Sequence, residues 1–141
     1  MTLHGRLGAG KSVLARAVAR GAGIEGPVPS PTFNLLFRYP ASRGREIVHL
    51  DLYRLSGPGE LDELGWGELG APAEVVLVEW PERAGPLLPP DRWEVRLGPV
   101  PGRPELRDVE IVRVGSPPAI PLPPPSDDPP SIPFPPPSEP P

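Results

Sequence analysis

Cysteine is absent from the 141 residues, so neither a disulfide framework nor a thiolate metal site is open to this chain. Positive charge is also in short supply: 14 Lys and Arg stand against 18 Asp and Glu, for a formal net charge of −4. That balance argues against a general nucleic-acid-binding surface while leaving room for a local basic patch, so any link to RNA is expected to be indirect. No apolar run is long enough to span a bilayer, and the first residues lack the charged start and apolar stretch of a secretory signal. The expectation is a soluble, cytoplasmic protein without a membrane partner. Lysine itself is nearly missing. Lys11 is the only one, and the remaining basic residues are arginines and two histidines. A guanidinium can replace an ammonium on most surfaces, whereas a compact charge with three donors suits a phosphate cradle, so the exception points to a specific task.

Proline and glycine are abundant, at 27 and 16 residues. About half of the prolines lie beyond Gly115, in Pro-Pro steps broken by Ser126, Asp127, Asp128, Ser131, Phe134 and Glu139. A segment with few N–H donors and no apolar period reads as an extended, disordered tail. Residues 1–114 are therefore expected to form one globular domain, and 115–141 the Pro-rich tail.

Near the start, Gly5-Arg6-Leu7-Gly8-Ala9-Gly10-Lys11-Ser12 matches G-x-x-x-x-G-K-[ST], the loop that wraps nucleotide phosphates. Glycines let successive backbone N–H groups turn toward one anion, Lys11 reaches the outer phosphates, and Ser12 offers a hydroxyl to Mg²⁺. The flanks fit. Thr2-Leu3-His4 reads as the end of a buried strand, and residues 12–22 as a helix with an apolar stripe of Val13, Leu14, Ala17 and Val18, stopped by Gly21 and Gly23. Such a helix aims its N-terminus at the phosphates.

Further along, residues 32–39 alternate as a strand would, and 43–45 mark a turn. Ile47-Val48-His49-Leu50 ends in Asp51, and Glu74-Val75-Val76-Leu77-Val78 ends in Glu79; both suit strands buried on two faces. Between them, 60–69 read as a short helix with Leu61, Leu64 and Leu69 inward. Trp93-Glu94-Val95-Arg96-Leu97 and residues 109–114 alternate with period two, separated by 98–104, and read as a closing antiparallel hairpin. The expected fold is α/β, with a mostly parallel sheet of the P-loop type.

In open α/β sheets ligands bind at the carboxyl ends of the strands, where Asp51 and Glu79 stand. Either carboxylate can hold Mg²⁺, directly or through water, or orient an attacking water. Ser30-Pro31-Thr32-Phe33 is either an ordinary turn or a loop whose hydroxyls sense the γ-phosphate. His49, inside an apolar run, reads as a core histidine with a satisfied ring. Trp80 reads as a core or rim aromatic, or as a partner contact.

Four segments in order and spacing resemble the bacterial TsaE (YjeE) family: Leu7-Gly8-Ala9-Gly10-Lys11-Ser12, Ser30-Pro31-Thr32-Phe33, His49-Leu50-Asp51-Leu52-Tyr53-Arg54-Leu55 and Val78-Glu79-Trp80-Pro81-Glu82. These are the P-loop ATPases of tRNA threonylcarbamoyladenosine biosynthesis, and the resemblance spans roughly residues 1–114. It implies ATP and Mg²⁺ as cofactors. Residues 7–12 would hold the nucleotide, with Lys11 on the phosphates, Ser12 and Glu79 on Mg²⁺, Asp51 supporting metal or water, and Thr32 in a switch-like loop. Arg103 resembles a position near the nucleotide base. TsaD and TsaB are the implied partners, with tRNA reached only through their assembly.

Three features depart from the family pattern. Arg6 stands where an acidic residue is usual, and the Pro-rich tail has no family counterpart. A helix and strand normally precede the loop, whereas only Thr2 to His4 separate Met1 from Gly5. Two readings follow: a start codon set too far downstream, or a shortened chain with a weakened pocket. A small-molecule kinase on the same loop and a non-catalytic nucleotide-binding module are the alternative functions.

Overall fold

The structure is a computed structural model and describes residues 1–29 and 35–120. Among these, β1 (Thr2–His4), β2 (Leu36–Pro40), β3 (Glu46–Asp51), β4 (Glu74–Glu79), β5 (Arg92–Val100) and β6 (Arg103–Val114) pair in the spatial order β2-β3-β4-β1-β5-β6. The inner four run parallel, while β2 and β6 close the two edges antiparallel. The apolar runs of β3 and β4 lie inside the sheet, as expected of strands covered on both faces. Of the stretch 32–39 read as a strand, residues 36–39 lie in β2, and residues 30–34 are outside the described residues.

Alternation along the strands sends two sets of side chains to opposite faces. Leu3, Ile47, Leu77 and Val95 meet α1 (Lys11–Gly21) through Ala15 and Ala19. The buried line of α1 is Lys11, Ala15 and Ala19, flanked by Leu14 and Val18, while Ala17 is exposed. The stripe expected from apolar spacing is thus rotated, because two alanines one turn apart let the helix lie close to the sheet. Its end is a Schellman arrangement. Gly23, at φ +90°, donates to the Arg20 carbonyl at 3.0 Å, and Ile24 donates to that of Ala19 at 3.2 Å.

On the other face Val48, Leu50 and Val78 pack with Leu52, Leu55, Leu61 and Ala84. The segment read as one helix is two 3₁₀ turns, Pro58–Leu64 and Trp66–Glu68, parted by Gly65 at φ +72°. Leu61 is fully buried, with Leu64 and Leu69 packed beside it. Truncating Leu61 to alanine is expected to cost about 2–5 kcal/mol, as at other buried leucines, read from a urea titration; a loss below about 0.5 kcal/mol would contradict this packing.

The closing hairpin is longer than its period-two runs, and its turn is only Pro101-Gly102. A register irregularity between Pro99 and Val100 lets the proline-rich stretch join the ladder instead of separating the strands. Contacts also continue past the expected boundary at Val114. Pro117 is buried, Ser116 N–H donates to Asp91 Oδ1 at 2.7 Å, and Trp93 Nε1 donates to the Pro118 carbonyl at 2.8 Å. The packed unit therefore reaches at least Pro118. Of the tail expected over 115–141, residues 121–141 lie outside the described residues. No helix among the described residues is long and apolar enough to cross a membrane.

Candidate functional site

β1 ends against β4 on one side and β5 on the other, and the loop that follows opens at their carboxyl ends. Gly5 begins the loop at φ +152°, where a Cβ would lie 2.9 Å from the Leu97 carbonyl oxygen and 2.8 Å from Ala9 Cβ. Both the backbone angle and the closeness of β5 thus require glycine there. Ala9 N–H closes a turn onto the Arg6 carbonyl at 3.0 Å, and Gly10 starts α1 without any side-chain cap. Among the described residues no side chain caps the first N–H groups of the helix, which is the local condition for anion binding at a helix start. Leu7 and Gly8 stand out in solvent, whereas Ala9 is buried.

Lys11 is 5% exposed. Its Nζ donates to the carbonyls of Gly5 at 2.5 Å and Arg6 at 2.9 Å, and sits 4.0 Å from the centre of the Trp80 ring. Burial pulls its pKa below the ordinary lysine value, opposed by the negative charges of Glu79, Glu82 and Asp51. The next residue, Ser12, donates from Oγ to Glu79 Oε2 at 3.0 Å. The other carboxylate oxygen, Oε1, lies 2.7 Å from His49 Nε2, and both side chains are 2% exposed.

Asp51 pairs with Glu79 across the β3–β4 ladder, so the two carboxylates end neighbouring strands together. Its Oδ1 accepts the Tyr53 N–H at 3.0 Å. Burial pushes the Asp51 pKa up, the Tyr53 hydrogen bond opposes this, and the Glu79 charge adds to the rise.

The donor set fits a hard cation: one hydroxyl and two carboxylates, all oxygen. Among the described residues no group of three or more His, Cys, Asp or Glu side chains could by itself hold a metal ion. A site of this kind suits Mg²⁺, which takes one or two protein carboxylates and completes its octahedron with phosphate oxygens and water.

Of the residues singled out in the sequence, Lys11, Ser12, Asp51 and Glu79 are brought together. Thr32 lies outside the described residues. Arg103 opens β6 and bonds Glu105 through Nε at 2.5 Å, in solvent. Four residues on, Arg107 donates from Nε to the carbonyl of Ala9 at 3.2 Å and so touches the loop. Strand alternation from Arg103 does not lead to it, because the irregularity pairs Arg103 with Val100 and Arg107 with Pro99, which face opposite sides of the sheet. Trp80 is the other residue whose role the sequence left open. It sits at φ +55°, unusual for an aromatic, with its ring 4.8 Å from that of Tyr53 and against Lys11. His49 has a satisfied ring as expected, and the partner that satisfies it belongs to the site.

Residues 1–103 match the family model described as "Threonylcarbamoyl adenosine biosynthesis protein TsaE". The tRNA threonylcarbamoyladenosine biosynthesis protein TsaE of Haemophilus influenzae is 41% identical over 87 residues, 62% of this chain and 54% of its own. The protein of the same name from Streptomyces coelicolor is 37% identical over 117 residues, 80% of this chain and 78% of its own. That of Rickettsia conorii is 44% identical over 96 residues, 67% of this chain and 54% of its own. Thus the chain spans about half the length of the first and third of these relatives. The crystal structure of Bacillus subtilis YdiB superposes with a TM-score of 0.61 at 30% identity, over 81% of this chain and 67% of that one.

Proposed function

This chain belongs to the TsaE family, and on that premise we propose that it binds and hydrolyses Mg-ATP in the cytoplasm to support threonylcarbamoyl modification of the adenosine beside the tRNA anticodon, acting on the TsaB–TsaD assembly. The observation that carries this reading is the junction of Lys11, Ser12 and Glu79 at the uncapped start of α1. A chain using that junction needs no covalent intermediate, since phosphoryl transfer to water is catalysed by positioning and charge neutralisation. Lys11 would move from the loop carbonyls to the outer phosphates. Ser12 and Glu79 would hold Mg²⁺, which supplies positive charge to the departing phosphate oxygens. Asp51 would orient water or support the metal, Thr32 would belong to a segment that senses the γ-phosphate, and Arg103 would lie toward the base.

Turnover is expected to be weak for this chain alone, because the described residues place few groups to meet transition-state charge. Purified TsaB and TsaD should stimulate phosphate release, and the chain should co-purify with them in Mg-ATP. If the protein neither co-purifies with the pair in Mg-ATP nor changes its turnover, the partner assignment fails. Product formation that required an added nucleoside or sugar acceptor would favour a kinase, and tight binding without turnover a non-catalytic module.

A further inference from the structure

Resting on the reading of Glu79 as the carboxylate beside nucleotide-bound Mg²⁺, we propose that His49 is a positioning residue, one that fixes which oxygen of Glu79 faces the metal. Glu79 is held at both oxygens: Oε1 by His49 Nε2 at 2.7 Å and Oε2 by Ser12 Oγ at 3.0 Å. An ionised carboxylate only accepts hydrogen bonds, so both partners donate. Nε2 therefore carries a hydrogen, and the Ser12 hydroxyl hydrogen points at Glu79. The lone pairs of Ser12 are thereby left free for a cation.

His49 is suited to this duty by its place in the sheet. It lies between Val48 and Leu50 in the middle of β3, with all three residues buried, and opposite Leu77 of β4 in the ladder. A ring packed on every side cannot swing away, whereas a glutamate has three rotatable bonds and holds its direction only if something holds it. Two residues further along the same strand face stands Asp51, so one strand supplies both the post and the second carboxylate. Outer partners that orient a metal ligand typically cost about 10–100-fold in metal affinity when removed.

The test measures ATP affinity by titration calorimetry, in Mg²⁺ and in EDTA, for the full chain and three variants. His49→Gln keeps a donor near the position of Nε2, His49→Asn keeps a polar group that stops short of Glu79, and His49→Leu fills the space without a donor. The gain in affinity from Mg²⁺ should persist in the glutamine variant and fall about tenfold in the other two. Affinity in EDTA should stay within about twofold throughout. If the leucine variant does not fold, the contrast between glutamine and asparagine still decides. An asparagine variant with the full Mg²⁺ gain beside a responsive parent overturns the role of His49 alone. Equal losses in Mg²⁺ and EDTA overturn it too, by making His49 a support for the fold. A parent protein whose ATP affinity ignores Mg²⁺ overturns the metal-site reading of Glu79 and this proposal with it.

Discussion

Lys11→Ala is expected to lower Mg-ATP affinity by about a hundredfold or more, the loss of one or two charge-assisted hydrogen bonds worth roughly 1.5–3 kcal/mol each. No other lysine exists to take over. Arg6 is exposed and Arg107 is committed to the carbonyls of Ala9, Pro104 and Leu106, so neither stands where the ammonium does. Replacement by arginine should help little, because the buried space against the Trp80 ring is filled by a slim chain and a compact head. Titration calorimetry reads the affinity, and circular dichroism checks that the loop's loss of its internal tie has not unfolded the domain. Unchanged Mg-ATP affinity in a folded variant would remove the phosphate-loop assignment.

Glu79→Gln should instead reduce hydrolysis by about tenfold or more while lowering nucleotide affinity less, since about 1.4 kcal/mol of transition-state stabilisation is a factor of ten. The amide keeps the volume and can still accept from His49 through its oxygen. Its NH₂ then faces Ser12, which must accept where it had donated, turning the hydroxyl hydrogen toward the cation. Charge is lost and the serine is misdirected in one step. Phosphate release with TsaB and TsaD present is the measurement. Equal rates for the two proteins would reduce Glu79 to a structural acid.

What could be read from the sequence was what is local. The loop is eight consecutive residues whose glycines, lysine and serine each have a phosphate-binding reason, and the runs ending in Asp51 and Glu79 announce strand ends by themselves. The unread parts depend on partners far along the chain. Ser12 and Glu79 are 67 residues apart; the family resemblance puts both on one metal, but nothing in either neighbourhood reveals the hydrogen bond between them. A histidine in an apolar run must find a hydrogen-bond partner, yet only the β3–β4 register reveals that the partner is Glu79 and not a backbone carbonyl. In α1 the apolar spacing points to Val13, Leu14, Ala17 and Val18, whereas the sheet takes the face with Ala15 and Ala19. The leucines at 61, 64 and 69 were legible as inward-facing. The left-handed Gly65 that breaks their helix into two turns was not, because glycine permits that conformation without demanding it.

The three-residue strand β1 is all that joins β2-β3-β4 to the β5–β6 hairpin within the sheet. In time, its pairing with two distant strands makes it the expected late step of assembly. A hairpin whose strands are consecutive closes a short loop, whereas β1 must wait for partners near residues 78 and 94 to be in place before either of its edges is satisfied. Until then the phosphate loop has a lysine and a serine but no glutamate beside them. The nucleotide binding proposed above should then report the completed sheet and not a half-formed one, and its recovery after dilution from denaturant should lag the return of the hairpin's own signal.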